Sequence, residues 1–191
     1  MIKKNQILTI SNALSFFRLL LVIPVWYTLN NFQDETNRII TFILCIIAAI
    51  TDIFDGRIAR KRNEITEIGK VIDPLADKIF IAVLTIKFYL IEALSGYFLI
   101  LIIFRDAILL IGGILLKIKL KRVLASNLLG KITAVIVGFL FLIIIIGLNK
   151  QNIFFIIFYY GSIFFYYASL IAYLMRAREF LKENRQDEII K

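Results

Sequence analysis

The chain has 191 residues, is 60% hydrophobic with a mean hydropathy of +0.85, and carries a formal net charge of +9. Soluble domains are about 45–50% apolar, so the composition excludes a water-soluble globular fold and points to a single membrane domain over 1–191. The basic excess does not point to nucleic acid, because Lys and Arg cluster between apolar stretches, where membrane topology and anionic headgroups place them.

In chain order, residues 2–14 come first, with Ile2, Ile7, Ile10 and Leu14 on one apolar face, and read as a short interfacial helix. No small-residue cleavage site follows the opening Met1-Ile-Lys-Lys, so the first apolar segment reads as a retained span. Six segments approach the roughly 20 residues that cross a bilayer, predicting an all-α integral membrane protein with transmembrane helices over 15–33, 37–61, 69–91, 97–117, 129–148 and 152–177. Arg57, Arg60, Lys61, Arg62 and Lys70 surround the second linker, and Lys117, Lys119, Lys121, Arg122 and Lys131 the fourth. Lys3, Lys4 and Arg18 lie at the start, and Arg176, Arg178, Lys182, Arg185 and Lys191 at the end. The other linkers hold little beyond Arg38 and Lys150. This alternation places both termini and the second and fourth linkers on the cytoplasmic side. The aromatic-rich last span, from Phe154 to Tyr167, reads as packing, a dimer face and interfacial anchoring.

Histidine is absent, and the single cysteine, Cys45, sits in an apolar run, so acid–base or metal chemistry has to come from carboxylates. Four of them, Asp52, Asp55, Asp73 and Asp77, lie near the ends of two apolar helices joined by a short basic linker, and Pro74, between the last two, reads as lying in the first turn of the third span, where its missing N–H costs little. Acids within membrane helices are costly and mark function by default. Spacings of three and four put each pair on one helical face, and an antiparallel hairpin would let the two faces meet at its cytoplasmic end. Four facing carboxylates repel unless neutralised. An all-oxygen set suits hard divalent cations, Mg²⁺, Mn²⁺ or Ca²⁺, and two ions could share it. Gly56 leaves room for a ligand against the helix backbone, Ala59 allows close packing, and Arg60 adds a charge suited to phosphate. No Gly-rich Walker loop is present, which disfavours a P-loop ATPase. A purely structural alternative pairs the acids with Arg57, Arg60 and Lys78. An ion-coupled transporter is a rival from another class, but it predicts acids at mid-membrane and broken helices.

The pattern D-x2-D-G-x2-A-R-x8-G-x3-D-x3-D is filled at every fixed position by Asp52, Asp55, Gly56, Ala59, Arg60, Gly69, Asp73 and Asp77. It resembles the signature of the CDP-alcohol phosphotransferase family, and Asn12, Ser15 and Arg18 resemble that family's N-terminal segment. The resemblance implies six membrane helices, often in a homodimer, and metal-dependent transfer with two Mg²⁺ or Mn²⁺ ions. It implies metal binding by Asp52, Asp55 and Asp73, and a general-base role for Asp77, which also reaches the metal. A CDP site would be bordered by Asp52, Gly56, Ala59, Arg60 and Gly69. The implied donor is CDP-diacylglycerol, the implied product CMP, and the implied location the bacterial cytoplasmic membrane.

The acceptor rests on a second region. Arg105 and Asp106 lie within the fourth span and Lys131 opens the fifth. Arg105 reads either as paired with an aspartate or, with Lys131, as gripping an anionic acceptor. In the family's phosphatidylglycerophosphate synthase branch an Arg-Glu is followed eight residues later by a second arginine, whereas position 113 here is Gly. The cardiolipin synthase branch has Arg-Asp and then an apolar run, similar to this segment. Glycerol 3-phosphate is the first expectation, phosphatidylglycerol the second and inositol phosphate the third.

Overall fold

The structure, a computed structural model, describes the backbone of residues 10–62, 69–120 and 128–189 and the side chains of 13–52, 74–116 and 128–182. Among the described residues every regular element is helical: α1 Ile10–Thr28, closed by a 3₁₀ turn at Leu29–Asn31, α2 Glu35–Arg62, α3 Gly69–Leu90, α4 Gly96–Leu120, α5 Leu128–Ile146 and α6 Ile153–Ile189. Among the described residues four stretches, Ala13–Asn31, Gly96–Leu116, Leu128–Ile146 and Ile153–Lys182, are long and apolar enough to cross a membrane. The helices that carry the charged motif, α2 and α3, are not among those four.

Three sequence expectations shift. Nothing in Ala13-Leu14-Ser15-Phe16 breaks a helix, so Ile10 and Leu14 continue into α1 and do not belong to a separate element. The rest of the expected interfacial helix, 2–9, lies outside the described residues. Pro74, expected in the first turn of α3, is the sixth residue of that helix as described. There its missing N–H leaves the Lys70 carbonyl without its i+4 donor. Finally, α6 runs beyond 177 to Ile189, because Arg-Ala-Arg-Glu-Phe-Leu-Lys-Glu continues it in strong helix formers.

By packing, the chain forms two compact units. The first comprises 1–95 with 144–147, and the second 96–143 with 148–191. In the first, α1 packs on both α2 and α3, and among the described residues each of those packs on α1 far more than on the other. The face of α1 that does this runs through Ser15, Arg18, Leu21, Val25 and Leu29, all buried and spaced by three or four. On α3 the matching stripe is Ala76, Phe80, Leu84 and Phe88. Thr28 and Thr41 meet hydroxyl to hydroxyl at 2.7 Å, and Thr41 also donates to the Asn37 carbonyl at 2.8 Å. The ammonium of buried Lys87 sits 4.0 Å from the centroid of the Trp26 ring and donates to the Asn30 side-chain oxygen. It lies in the last turn of α3, where a cation also complements the helix dipole. The opposite face of α2 exposes Ile39, Ile43, Ile47 and Ile50. Such a stripe would be a liability in water and suits lipid.

In the second unit α4 packs on α6. Gly112 permits a close approach, since a Cβ there would come 2.9 Å from the Tyr173 hydroxyl. Buried Phe98 of α4 stacks on Tyr159 at 5.0 Å between centroids and meets Tyr166 edge-on at 6.4 Å. The Thr133 hydroxyl of α5 lies within hydrogen-bonding distance of its own Leu129 carbonyl, 2.7 Å, and of the Phe165 carbonyl of α6, 3.1 Å. These all-helical, lipid-suited units belong to an integral membrane protein.

The end of α5 is fixed by Gly147 at φ +86°. Its N–H bonds the Ile144 carbonyl at 2.8 Å and the next N–H bonds Ile143 at 3.2 Å, the double closure that a left-handed residue allows. A Cβ at this position would run into the Arg38 guanidinium. Gly147→Ala is therefore expected to destabilise the protein by about 1–2 kcal/mol from backbone strain, read as a lower thermal midpoint in detergent, while Gly138→Ala, where a Cβ meets nothing within 4 Å, stays near wild type.

Candidate active site

The first unit gathers charge around one side chain of α1. Arg18 lies three residues after Ser15 on the packed face, and its side chain is 3% exposed. One terminal nitrogen, Nη2, lies 3.2 Å from Oδ1 of Asp52 on α2. The other, Nη1, donates to Oδ1 of Asp77 on α3. A guanidinium suits this task because its planar fork carries donors in several fixed directions and stays charged.

Helix geometry delivers each acid to that point. Asp52 follows buried Ala48 by one turn on α2, and Asp77 precedes buried Phe80 and Leu84 on α3 at spacings of three and seven. Both acids therefore lie on the sides of their helices that pack toward α1. Their side chains remain 52% and 37% exposed, while the guanidinium is enclosed.

Asp52 and Asp77 are thus both held by Arg18 of α1. Asp55, Gly56, Ala59, Arg60, Gly69 and Asp73 have their backbones on α2 or α3, at the helical spacings the sequence implies. Beyond the backbone, those positions lie outside the described residues, as do Arg57 and its neighbours. Among the described residues no group of three or more acids, histidines or cysteines gathers. Of the four motif acids, Asp52 and Asp77 have described side chains, and carboxylate oxygens of this kind would fit a hard divalent cation and not a thiophilic one. The sequence places Arg18 among the basic residues at the start of the chain and, with Asn12 and Ser15, in the resemblance to the family's N-terminal segment, but not as the partner of Asp52 and Asp77. The usable signal was its position on an apolar face with Ser15, too deep in α1 for a lysine-like surface role.

The second unit holds a separate charged cluster. Arg105 and Asp106 are both buried. Arg105 donates from Nη1 to Asp106 Oδ1 at 2.7 Å and from Nη2 to Ser169 Oγ at 2.9 Å. Its guanidinium carbon lies 5.2 Å from the centroid of the Tyr166 ring, and Ser169 donates in turn to the Tyr166 carbonyl at 3.0 Å. The neighbour pairing of Arg105 with Asp106, one of its two expected readings, is formed. Lys131 is exposed, and no ion pair or hydrogen bond joins it to Arg105 among the described residues. Ser169 and Tyr166 were not singled out as partners. Their signal is a small hydroxyl recurring at Ser162 and Ser169, seven residues apart in an aromatic helix.

Comparison with known proteins adds to this geometry. The sequence model described as CDP-alcohol phosphatidyltransferase matches residues 8–174. A protein of Aquifex aeolicus named CDP-diacylglycerol–glycerol-3-phosphate 3-phosphatidyltransferase is 37% identical over 133 residues, covering 69% of this chain and 72% of that protein. Proteins of the same name from Bacillus subtilis and Rickettsia typhi are 40% and 43% identical over 90 and 75 residues. Those matches cover 47% and 39% of this chain and 46% and 42% of the relatives.

The buried cluster yields a stability test. Asp106→Ala leaves the Arg105 guanidinium enclosed without its counter-charge and is expected to cost about 3–5 kcal/mol. Ser169→Ala, which removes one hydrogen bond to a charged group, is expected to cost about 1.5–3 kcal/mol. Thermal unfolding of the purified variants in detergent gives the order directly.

Proposed function

The chain belongs to the CDP-alcohol phosphatidyltransferase family, and from that premise we propose that it synthesises phospholipid by moving the phosphatidyl group of CDP-diacylglycerol to glycerol 3-phosphate, releasing CMP. The observation that carries this reading is the complete motif, whose outermost acids Asp52 and Asp77 converge on one buried guanidinium. The names of the relatives support the donor and the acceptor.

In this reading Asp77 takes the proton from the acceptor hydroxyl as its oxygen attacks the phosphorus next to the diacylglycerol. The bond from that phosphorus to the bridging oxygen breaks, and CMP leaves with the electron pair. Asp77 is exposed enough to meet a hydroxyl from the aqueous side, and Arg18 holds it in place. Asp52, Asp55, Asp73 and Asp77 would hold two Mg²⁺ or Mn²⁺ ions, which when bound neutralise the pyrophosphate and the charge growing on the leaving group. Asp52, Gly56, Ala59, Arg60 and Gly69 would border the CDP moiety. Arg105 and Lys131 would bind the acceptor's phosphate, with Arg105 shared between that anion and Asp106.

The reading includes six spans, α2 and α3 with the other four, in a homodimer of the bacterial cytoplasmic membrane. Both termini and the acidic cluster then face the cytoplasm, as the Lys and Arg distribution supports. Phosphatidylglycerol is the second reading for the acceptor, favoured by Gly113 standing where the glycerol 3-phosphate branch carries its second arginine.

The test is CMP release by protein purified in detergent, given CDP-diacylglycerol, Mg²⁺ or Mn²⁺, and glycerol 3-phosphate, phosphatidylglycerol or inositol phosphate in separate reactions. Release with glycerol 3-phosphate is expected, falling about 10²–10⁴-fold in Asp77→Asn. Chelation should stop it, and added Mg²⁺ should restore it. Release with phosphatidylglycerol alone would move the protein to the second reading. No CMP release, together with ion flux in liposomes that Asp77→Asn abolishes, would favour the transporter class.

A further inference from the structure

We infer that Arg18 is a built-in counter-cation of the acidic cluster, competing with the divalent ions for Asp52 and Asp77 and thereby setting how tightly those ions are held. The inference rests on the metal-site reading above and concerns a residue of α1, outside the aspartate motif.

Three observations carry it. The Arg18 side chain is 3% exposed, so solvent cannot satisfy its charge and it is committed to its carboxylate partners. Lys131, Arg176 and Arg178, by contrast, are exposed, as charges that only mark topology should be. Second, the two terminal nitrogens of Arg18 go to acids on two different helices, Nη2 to Asp52 and Nη1 to Asp77, each at Oδ1. Carboxylate oxygens are also what a hard cation takes. Guanidinium and metal therefore draw on the same negative charge, and at Oδ1 on the same atoms. Third, the approach is two-sided. Arg18 reaches the acids from the enclosed side, while the carboxylates are 52% and 37% exposed on the other. A cation can meet the carboxylates from their exposed side without first displacing the arginine, and each lowers the other's hold.

Linkage gives the sign. A charge that stabilises the acids in the absence of metal, and competes with the metal for them, costs more to remove when no metal is present than when metal saturates the site. An arginine that serves only as a packing strut costs the same in both conditions.

The experiment uses Mn²⁺ as probe, with binding followed by electron paramagnetic resonance of free Mn²⁺ and thermal midpoints taken in EDTA and in saturating Mn²⁺, for wild type, Arg18→Gln and Arg18→Lys. Arg18→Gln is expected to bind Mn²⁺ about tenfold more tightly, the scale on which a neighbouring arginine alters a carboxylate's affinity for a proton. Its midpoint should fall below wild type in EDTA, with the gap narrowing in Mn²⁺. Arg18→Lys should lie between, because a compact ammonium replaces the fork that spans two carboxylates. Unchanged or weaker Mn²⁺ binding by Arg18→Gln, or an equal fall in midpoint under both conditions, would overturn the inference. If Arg18→Gln yields no folded protein, Arg18→Lys decides by the same criterion. Absence of Mn²⁺ binding by wild type would instead bring down the metal-site reading, and the inference with it.

Discussion

A guanidinium enclosed by apolar helices has to find negative charge inside the protein, and that requirement organises the first unit. Arg18 obtains it from two helices at once. Satisfying the arginine therefore places the turn of α2 that carries Asp52 and the turn of α3 that carries Asp77 against the same point of α1. The apolar stripe of Leu21, Val25 and Leu29 supplies the packing that keeps α1 there, but apolar packing tolerates sliding by a turn, and a two-pronged ion pair does not. The two acids thereby gain a defined placement around Arg18 and stay partly exposed.

Several buried hydroxyls also find an acceptor within their own helix. Thr41, Thr85, Thr133 and Ser162 return their hydroxyls to carbonyls one turn earlier in their own helices. Such residues can be buried against neighbouring helices without demanding a partner from them, and they let the helices approach closely. Charge is thus concentrated at two places among the described side chains of the helix interiors that carry ion pairs, one on α1 with α2 and α3, the other on α4 with α6. The outer faces are left to isoleucine, leucine and phenylalanine.

The sequence made the helices and the acidic motif legible for plain physical reasons. Apolar runs of bilayer length have no competing fold, and acids three and four apart announce a helical face. Boundaries were less legible where no residue forces an end. Nothing separates Leu14 from Ser15, and the charged run after Arg178 is as helix-compatible as the apolar one before it. Pro74 was placed by the general tolerance of proline at helix starts, whereas Gly69 is already helical. The partner of Arg18 was illegible for a different reason. Periodicity tells which face of α1 is buried, but Asp52 and Asp77 lie 34 and 59 residues away, and only packing decides which helices cover that face. Arg105 and Asp106, being adjacent, needed no such information.

That adjacency bears on how the protein is made. Arg105 and Asp106 form their ion pair within a single helix, so the apolar stretch 96–116 of α4 can leave the insertion machinery as an electrically neutral segment, its arginine already answered by the residue beside it. The first helix has no such provision, because the acids that answer Arg18 are synthesised later, on α2 and then on α3. Until Asp77 has entered, α1 holds a charge that favours the membrane surface over the interior. The nascent chain is therefore expected to keep its first segment shallow and reversible, and to commit it to the bilayer only when the third arrives, so that the ion pairs of Arg18 also time the assembly of the helices around it.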